Sequence, residues 1–142
     1  MAKMNPYLNF DGRTEEAFNF YKSVFGGEFT GVYKMDGMPD ADKLPENERN
    51  RVLHIALPID GQTTLMASDI IPSAGQKLVE GNNVQLSLHP GSREEADRLF
   101  RELSAGGTVE MPMQDTFWGA YFGNFQDKYG IRWMINYDQN QQ

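Results

Sequence analysis

The chain contains no cysteine. Disulfides, thiolate nucleophiles and cysteine-held metals are excluded together. Only two histidines are present, His54 and His89, and no Ser–His–Asp triad can be assembled from residues so placed. No apolar run approaches the length of a membrane span. The opening Met1-Ala2-Lys3-Met4-Asn5-Pro6 lacks the apolar core of a signal peptide, so a cytoplasmic location is expected. Basic residues are scattered and outnumbered, 13 Lys and Arg against 20 Asp and Glu for a net charge of −7. That balance argues against a surface that tracks nucleic-acid phosphates, and its simplest use is solubility. Against these absences stand 39% hydrophobic residues, including nine Phe, six Tyr and two Trp, enough for a packed interior.

What the chain does have is a repeat. Thr14-Glu15-Glu16-Ala17 opens a segment that closes at Gly26-Gly27, and Ser92-Arg93-Glu94-Glu95-Ala96 opens one that closes at Gly106-Gly107. Ala17, Phe20, Tyr21 and Val24 fall at relative positions 0, 3, 4 and 7, as do Ala96, Leu99, Phe100 and Leu103. That spacing marks one face of an α-helix. Thr14 reads as the first N-cap, while Ser92 with Glu95 forms a capping box for the second helix. Each glycine pair can adopt the positive φ of a helix C-cap. The paired acids Glu15-Glu16 and Glu94-Glu95 complement the helix dipoles.

Strand-like runs surround both helices. Residues 6–10 precede the first, with Pro6, Leu8 and Phe10 on one side and Asn5, Tyr7 and Asn9 on the other. Residues 28–34, 52–59 and 63–67 follow it, the last two joined by an Asp60-Gly61 hairpin signal. Residues 84–88 precede the second helix, and 108–112, 117–125 and 131–137 follow it. The expected domains are a first βαβββ module over 1–69 with a polar loop at 35–51, a linker at 70–83, a second module over 84–137 and a frayed polar tail at 138–142. The fold class is therefore α+β, two βαβββ modules forming a curved mixed sheet with the helices on one face.

This arrangement resembles the vicinal oxygen chelate superfamily of glyoxalase I, bleomycin-resistance proteins and extradiol dioxygenases. It is most similar to the PhnB-like, or demethylubiquinone methyltransferase-like, branch. Pro6-Tyr7-Leu8 before Glu15-Glu16-Ala17-Phe18 and Phe20-Tyr21, then His54 and Leu65-Met66-Ala67-Ser68-Asp69, carry the resemblance. Its most specific part is Met113-Gln114-Asp115-Thr116-Phe117-Trp118-Gly119 followed by Asp127-Lys128-Tyr129-Gly130-Ile131-Arg132-Trp133. The resemblance implies a glyoxalase-like fold, a bowl on the sheet face opposite the helices, and a homodimer. It also implies a divalent metal held by His and Glu near Pro6 or Tyr7, on or beside Met66, near Asn83 or Gln85, and near Met134. None of those residues is a His, Asp or Glu, and thioether sulfur and a proline ring do not hold hard divalent ions, so no metal site is expected.

Strand parity selects the residues of the bowl. Leu53, Ile55 and Leu57, Val84, Leu86 and Leu88, and Trp133 and Ile135 should face the helices. That leaves Tyr7, His54, Met66, Gln85, Ser87 and Met134 on the other side, with Trp118 and Phe122 sharing one parity on their strand and closing the bowl. This mostly apolar set suits a small molecule, aromatic or amphiphilic. His54 is the candidate acid or base; it is equally readable as a buried histidine partnered by Asp69 or by backbone. Asp69 could pair with His54 or simply end its strand, and His89 reads as a turn residue. Met66 and Met134 suit an adaptable ligand surface or plain core. Trp118 suits a stacking partner or a packing residue beside Gly119.

The expected function is metal-independent small-molecule binding, with no cofactor, nucleic acid or membrane partner. Two alternatives stand beside it. One is a metal-dependent lyase, isomerase or dioxygenase using an atypical ligand set around His54 and Asp69. The other is an interaction module whose bowl is filled by its own side chains.

Overall fold

The computed structural model describes residues 1–139; residues 140–142, the end of the expected polar tail, lie outside the described residues. The chain divides into two compact units, residues 1–79 and 80–142. Each has one helix and one four-stranded mixed sheet, and the two sheets share one strand order.

In the first unit, β1 (Tyr7–Phe10), α1 (Thr14–Phe25), β2 (Gly31–Lys34), β3 (Val52–Pro58) and β4 (Thr64–Asp69) form a sheet of order β1-β4-β3-β2. Strand β1 runs parallel to β4, and the remaining pairs are antiparallel. Helix α1 packs on β3 and β4. It buries Ala17, Phe18, Tyr21 and Val24 against a floor that includes Ile55, Leu57, Leu65 and Ala67. Leu53 does not join that floor. A register shift between Tyr33 and Lys34 pairs Lys34 with Val52 and leaves Leu53 as the extra residue. The bulge buries Val52 and exposes Leu53.

The hairpin between β3 and β4 is longer than a two-residue turn. Asp60 accepts bonds from the backbone N–H groups of Gln62 and Thr63, and Ile59 N–H bonds Thr63 O. Residues 35–51 form three short 3₁₀ turns. They are fastened by Met35 in the core, by Arg51 to Asp11 and Ile70 O, and by the buried Glu48 carboxylate, which accepts from Ser73 N–H and Oγ.

The second unit repeats the order with β5 (Leu86–Leu88), α2 (Arg93–Ser104), β6 (Thr108–Asp115), β7 (Ala120–Gln126) and β8 (Arg132–Asp138). Its sheet is β5-β8-β7-β6, with β5 parallel to β8. Strand β5 is short: Val84 lies outside it and is exposed. Helix α2 buries Ala96, Leu99 and Leu103, and Phe100 meets Phe125 edge-to-face at 5.1 Å. Strand β8 extends to Asp138, and Gln139 N–H bonds Gly119 O, so the first two tail residues are held rather than frayed. No helix among the described residues is long and apolar enough to cross a membrane.

The glycine pairs end their helices differently. Gly26 and Gly27 both take positive φ, 78° and 80°, which closes α1. In the second pair only Gly106 does. Gly107 is required by space, because a Cβ there would collide with the carbonyl of Gln126.

Candidate functional site

The distal face of each sheet, turned away from the helix of its own unit, holds most of the residues selected by parity. In the first unit the parallel register sets Tyr7 beside Met66, and the antiparallel one sets Met66 beside Ala56. His54 pairs with Tyr33 across β2 and β3. Tyr7 Oη and His54 Nδ1 share a hydrogen bond of 3.3 Å. The Tyr7 and His54 rings stack at 5.8 Å with 29° between planes, and the Tyr33 ring lies 6.4 Å from the imidazole on its other side. Tyr7 is 46% exposed and Tyr33 60%. Strand parity alone could not have chosen Tyr33; its place beside His54 depends on the β2–β3 register.

Asp69 does not belong to this face. It is buried beneath the start of α1, where Oδ1 accepts from Gly12 N–H, Thr14 N–H and Thr14 Oγ, while Oδ2 accepts from Val52 N–H. Of the two readings of Asp69, the pairing with His54 fails, because odd-numbered residues of β4 face α1 and His54 faces away, and the place at the strand end holds. Thr14 is likewise not the N-cap. Arg13 occupies that position without a side-chain bond, and Asp69 does the capping from another strand.

In the second unit, one row across the distal face reads Ser87, Met134, Asn124 and Met111 on β5, β8, β7 and β6. Phe122 sits in the next row between Gln114 and Asn136. Gln85, just before β5, accepts from Asn124 Nδ2 at 3.4 Å, and Ser87 Oγ lies 3.2 Å from His89 Nε2. Trp118 is not on a strand. The strand starts only at Ala120, so Trp118 stands in the β6–β7 turn, 58% exposed, with its ring edge-on to Phe117 at 5.0 Å. It shares no strand parity with Phe122.

A charged cluster lies beside the start of α2. Tyr121 donates to Asp97 at 2.5 Å, and the Arg93 guanidinium covers its ring at 3.7 Å. The Asp97 hydrogen bond, with burial second, raises the Tyr121 phenol above its ordinary pKa. Arg93 and then Gln139, donating to Asp115, hold that carboxyl below its ordinary range.

The metal positions implied by the resemblance do not fit a metal. Tyr7, Met66, Gln85 and Met134 offer a phenol, two thioethers and an amide, with no carboxylate or imidazole among them, and thioether sulfur does not hold a hard divalent ion. Among the described residues no group of three or more His, Asp or Glu could hold one. His54 and Asp69 lie on opposite faces and cannot share an ion.

Two mixed sheets of order 1-4-3-2, each with a helix on one face, define the glyoxalase/bleomycin-resistance class of fold. A Burkholderia phytofirmans protein described as a glyoxalase/bleomycin resistance protein/dioxygenase family enzyme has that fold at TM-score 0.59 and 19% identity, covering 93% of this chain and 96% of its own. Within the class the chain belongs to the family described as 3-demethylubiquinone-9 3-methyltransferase, whose model matches residues 2–136. It is 33% identical to protein YjdN of Escherichia coli K12, over 94% of this chain and 93% of that one. Protein PA1353 of Pseudomonas aeruginosa superposes with TM-score 0.86 at 35% identity, covering 99% and 100% of the two chains. A Bacillus cereus PhnB protein, described as a putative 3-demethylubiquinone-9 3-methyltransferase, superposes with TM-score 0.78 at 26% identity, covering 96% and 99%.

Proposed function

We propose that this chain is a metal-independent binding protein for a small aromatic or amphiphilic molecule held against the distal face of a four-stranded sheet. The observation that carries the reading is the ring group of Tyr7, His54 and Tyr33. Three rings crowd one sheet face, and both tyrosines remain largely exposed. Aromatic surface left uncovered beside polar tips is what a planar ligand stacks on. Met66, in register with Tyr7, supplies a polarizable surface that adapts to ligand shape. His54, bonded to Tyr7 through Nδ1, is the group placed to exchange a proton with a bound molecule. In the second unit Gln85, Ser87, Phe122 and Met134 offer a more polar counterpart. The reading includes a cytoplasmic homodimer.

Two measurements test it. Titrating the protein with indole while recording amide chemical shifts should perturb Tyr7, Tyr33 and His54. Tyr7→Ala should weaken binding about tenfold, the size of one lost ring contact with its buried area. Indole shifts that ignore all three residues would remove the platform from the site. Metal analysis after native purification should find no stoichiometric Zn, Ni, Mn or Fe. One metal ion per chain, lost in His54→Ala, would overturn the metal-free reading.

A further inference from the structure

Among the described residues, two buried side-chain atoms lack any hydrogen-bond partner, Asn124 Oδ1 and Arg132 Nε. Both belong to the distal face of the second sheet. Asn124 pairs with Met134 and Arg132 with Gln126, while the intervening Gly123, Phe125 and Trp133 face the other way, a Cβ on Gly123 running into Phe100 of α2. Asn124 and Arg132 are thus diagonal neighbours across one strand pair, with Cα atoms roughly 7–8 Å apart. Asn124 is only 9% exposed. A buried polar atom left unbonded carries a desolvation cost that folding does not recover, so it calls for a partner.

The two orphans are complementary. One is an amide oxygen that needs a donor, and the other is a guanidinium N–H that needs an acceptor. The Arg132 charge is already met by Glu110, which its Nη1 contacts. An anion would find no net positive charge there, and it would have nothing to donate to Asn124. We infer that this face holds a subsite for a neutral amide-like group, whose N–H bonds Asn124 Oδ1 and whose C=O accepts from Arg132 Nε. Met134 and Met111, in register with Asn124, would flank the rest of the ligand. The inference rests on the small-molecule reading above and extends it to the second unit's own sheet.

The test compares three probes on the full chain by amide chemical-shift titration. They are benzamide, N,N-dimethylbenzamide, which keeps the carbonyl but has no N–H, and benzoate. Benzamide should perturb Asn124, Arg132 and Met134 and should bind at least about tenfold more tightly than either other probe. Asn124→Leu, which removes the unbonded Oδ1 and also the Nδ2 bond to Gln85, should abolish that preference while the chain still melts cooperatively. Arg132→Lys, which keeps the charge facing Glu110 but has no Nε–H, should also lose it. Equal affinity for benzamide and its dimethyl analogue would overturn the inference, with an ordered water as the partner instead. Benzamide shifts confined to Tyr7, Tyr33 and His54 would overturn it and leave the small-molecule reading standing. No shift with any probe, or with indole, would overturn both.

Discussion

Helix α2 closes its own first turn: Ser92 Oγ accepts from Glu95 N–H three residues on, and Glu95 reaches back to Gly91 N–H. Helix α1 instead takes its cap from Asp69, 55 residues beyond Thr14. The same carboxylate also holds Val52 N–H at the start of β3. The two units share strand order, helix placement and apolar spacing, yet one fastens its helix locally and the other through the sheet. Their distal faces diverge too, with rings in the first unit and amides and thioethers in the second. A duplicated topology has therefore kept its core while both its fastenings and its exposed chemistry changed.

The contrast in fastening can be broken most forcefully at Asp69. Asp69→Ala strands four donors at once, three of them at the start of α1. It should cost about 4 kcal/mol in chemical denaturation. Ser92→Ala removes one local cap and should cost about 1 kcal/mol, or about 3 °C in melting temperature. Equal losses in the two variants would show that α1 does not depend on its distant cap. The smallest effect concerns alkaline pH. The Tyr121 phenol has a raised pKa in the folded state. Its contribution is therefore complete below the ordinary phenol pKa and disappears as pH rises through the raised value. The melting-temperature gap between the native chain and Tyr121→Phe should be present at neutral pH and should close in alkali. A gap that widens there would contradict the Tyr121–Asp97 bond as the cause.

The period-3.6 and period-2 patterns make much of this fold legible in the sequence. Tyr21, Val24, Leu99 and Leu103 are buried as their spacing requires. Tyr7 and Met66 lie opposite each other on the face that parity assigns them. What escaped depends on contacts between distant segments. Parity fails at Leu53 because a bulge consumes one residue. Trp118 sits in a turn, since β7 starts at Ala120, three residues later than the apolar composition suggests. Asp69 looks like a strand end because nothing local reveals that Gly12, Thr14 and Val52 converge on it. Tyr33 and Asn124 gain significance only once register supplies their neighbours.

The borrowed cap also orders events in time. On a chain growing from its N-terminus, Ser92 meets Glu95 three residues after it is made. Thr14 waits for 55 more. The helix synthesised first is therefore the one that cannot be completed until its whole module has emerged, and any nascent fragment ending before Asp69 carries an uncapped α1.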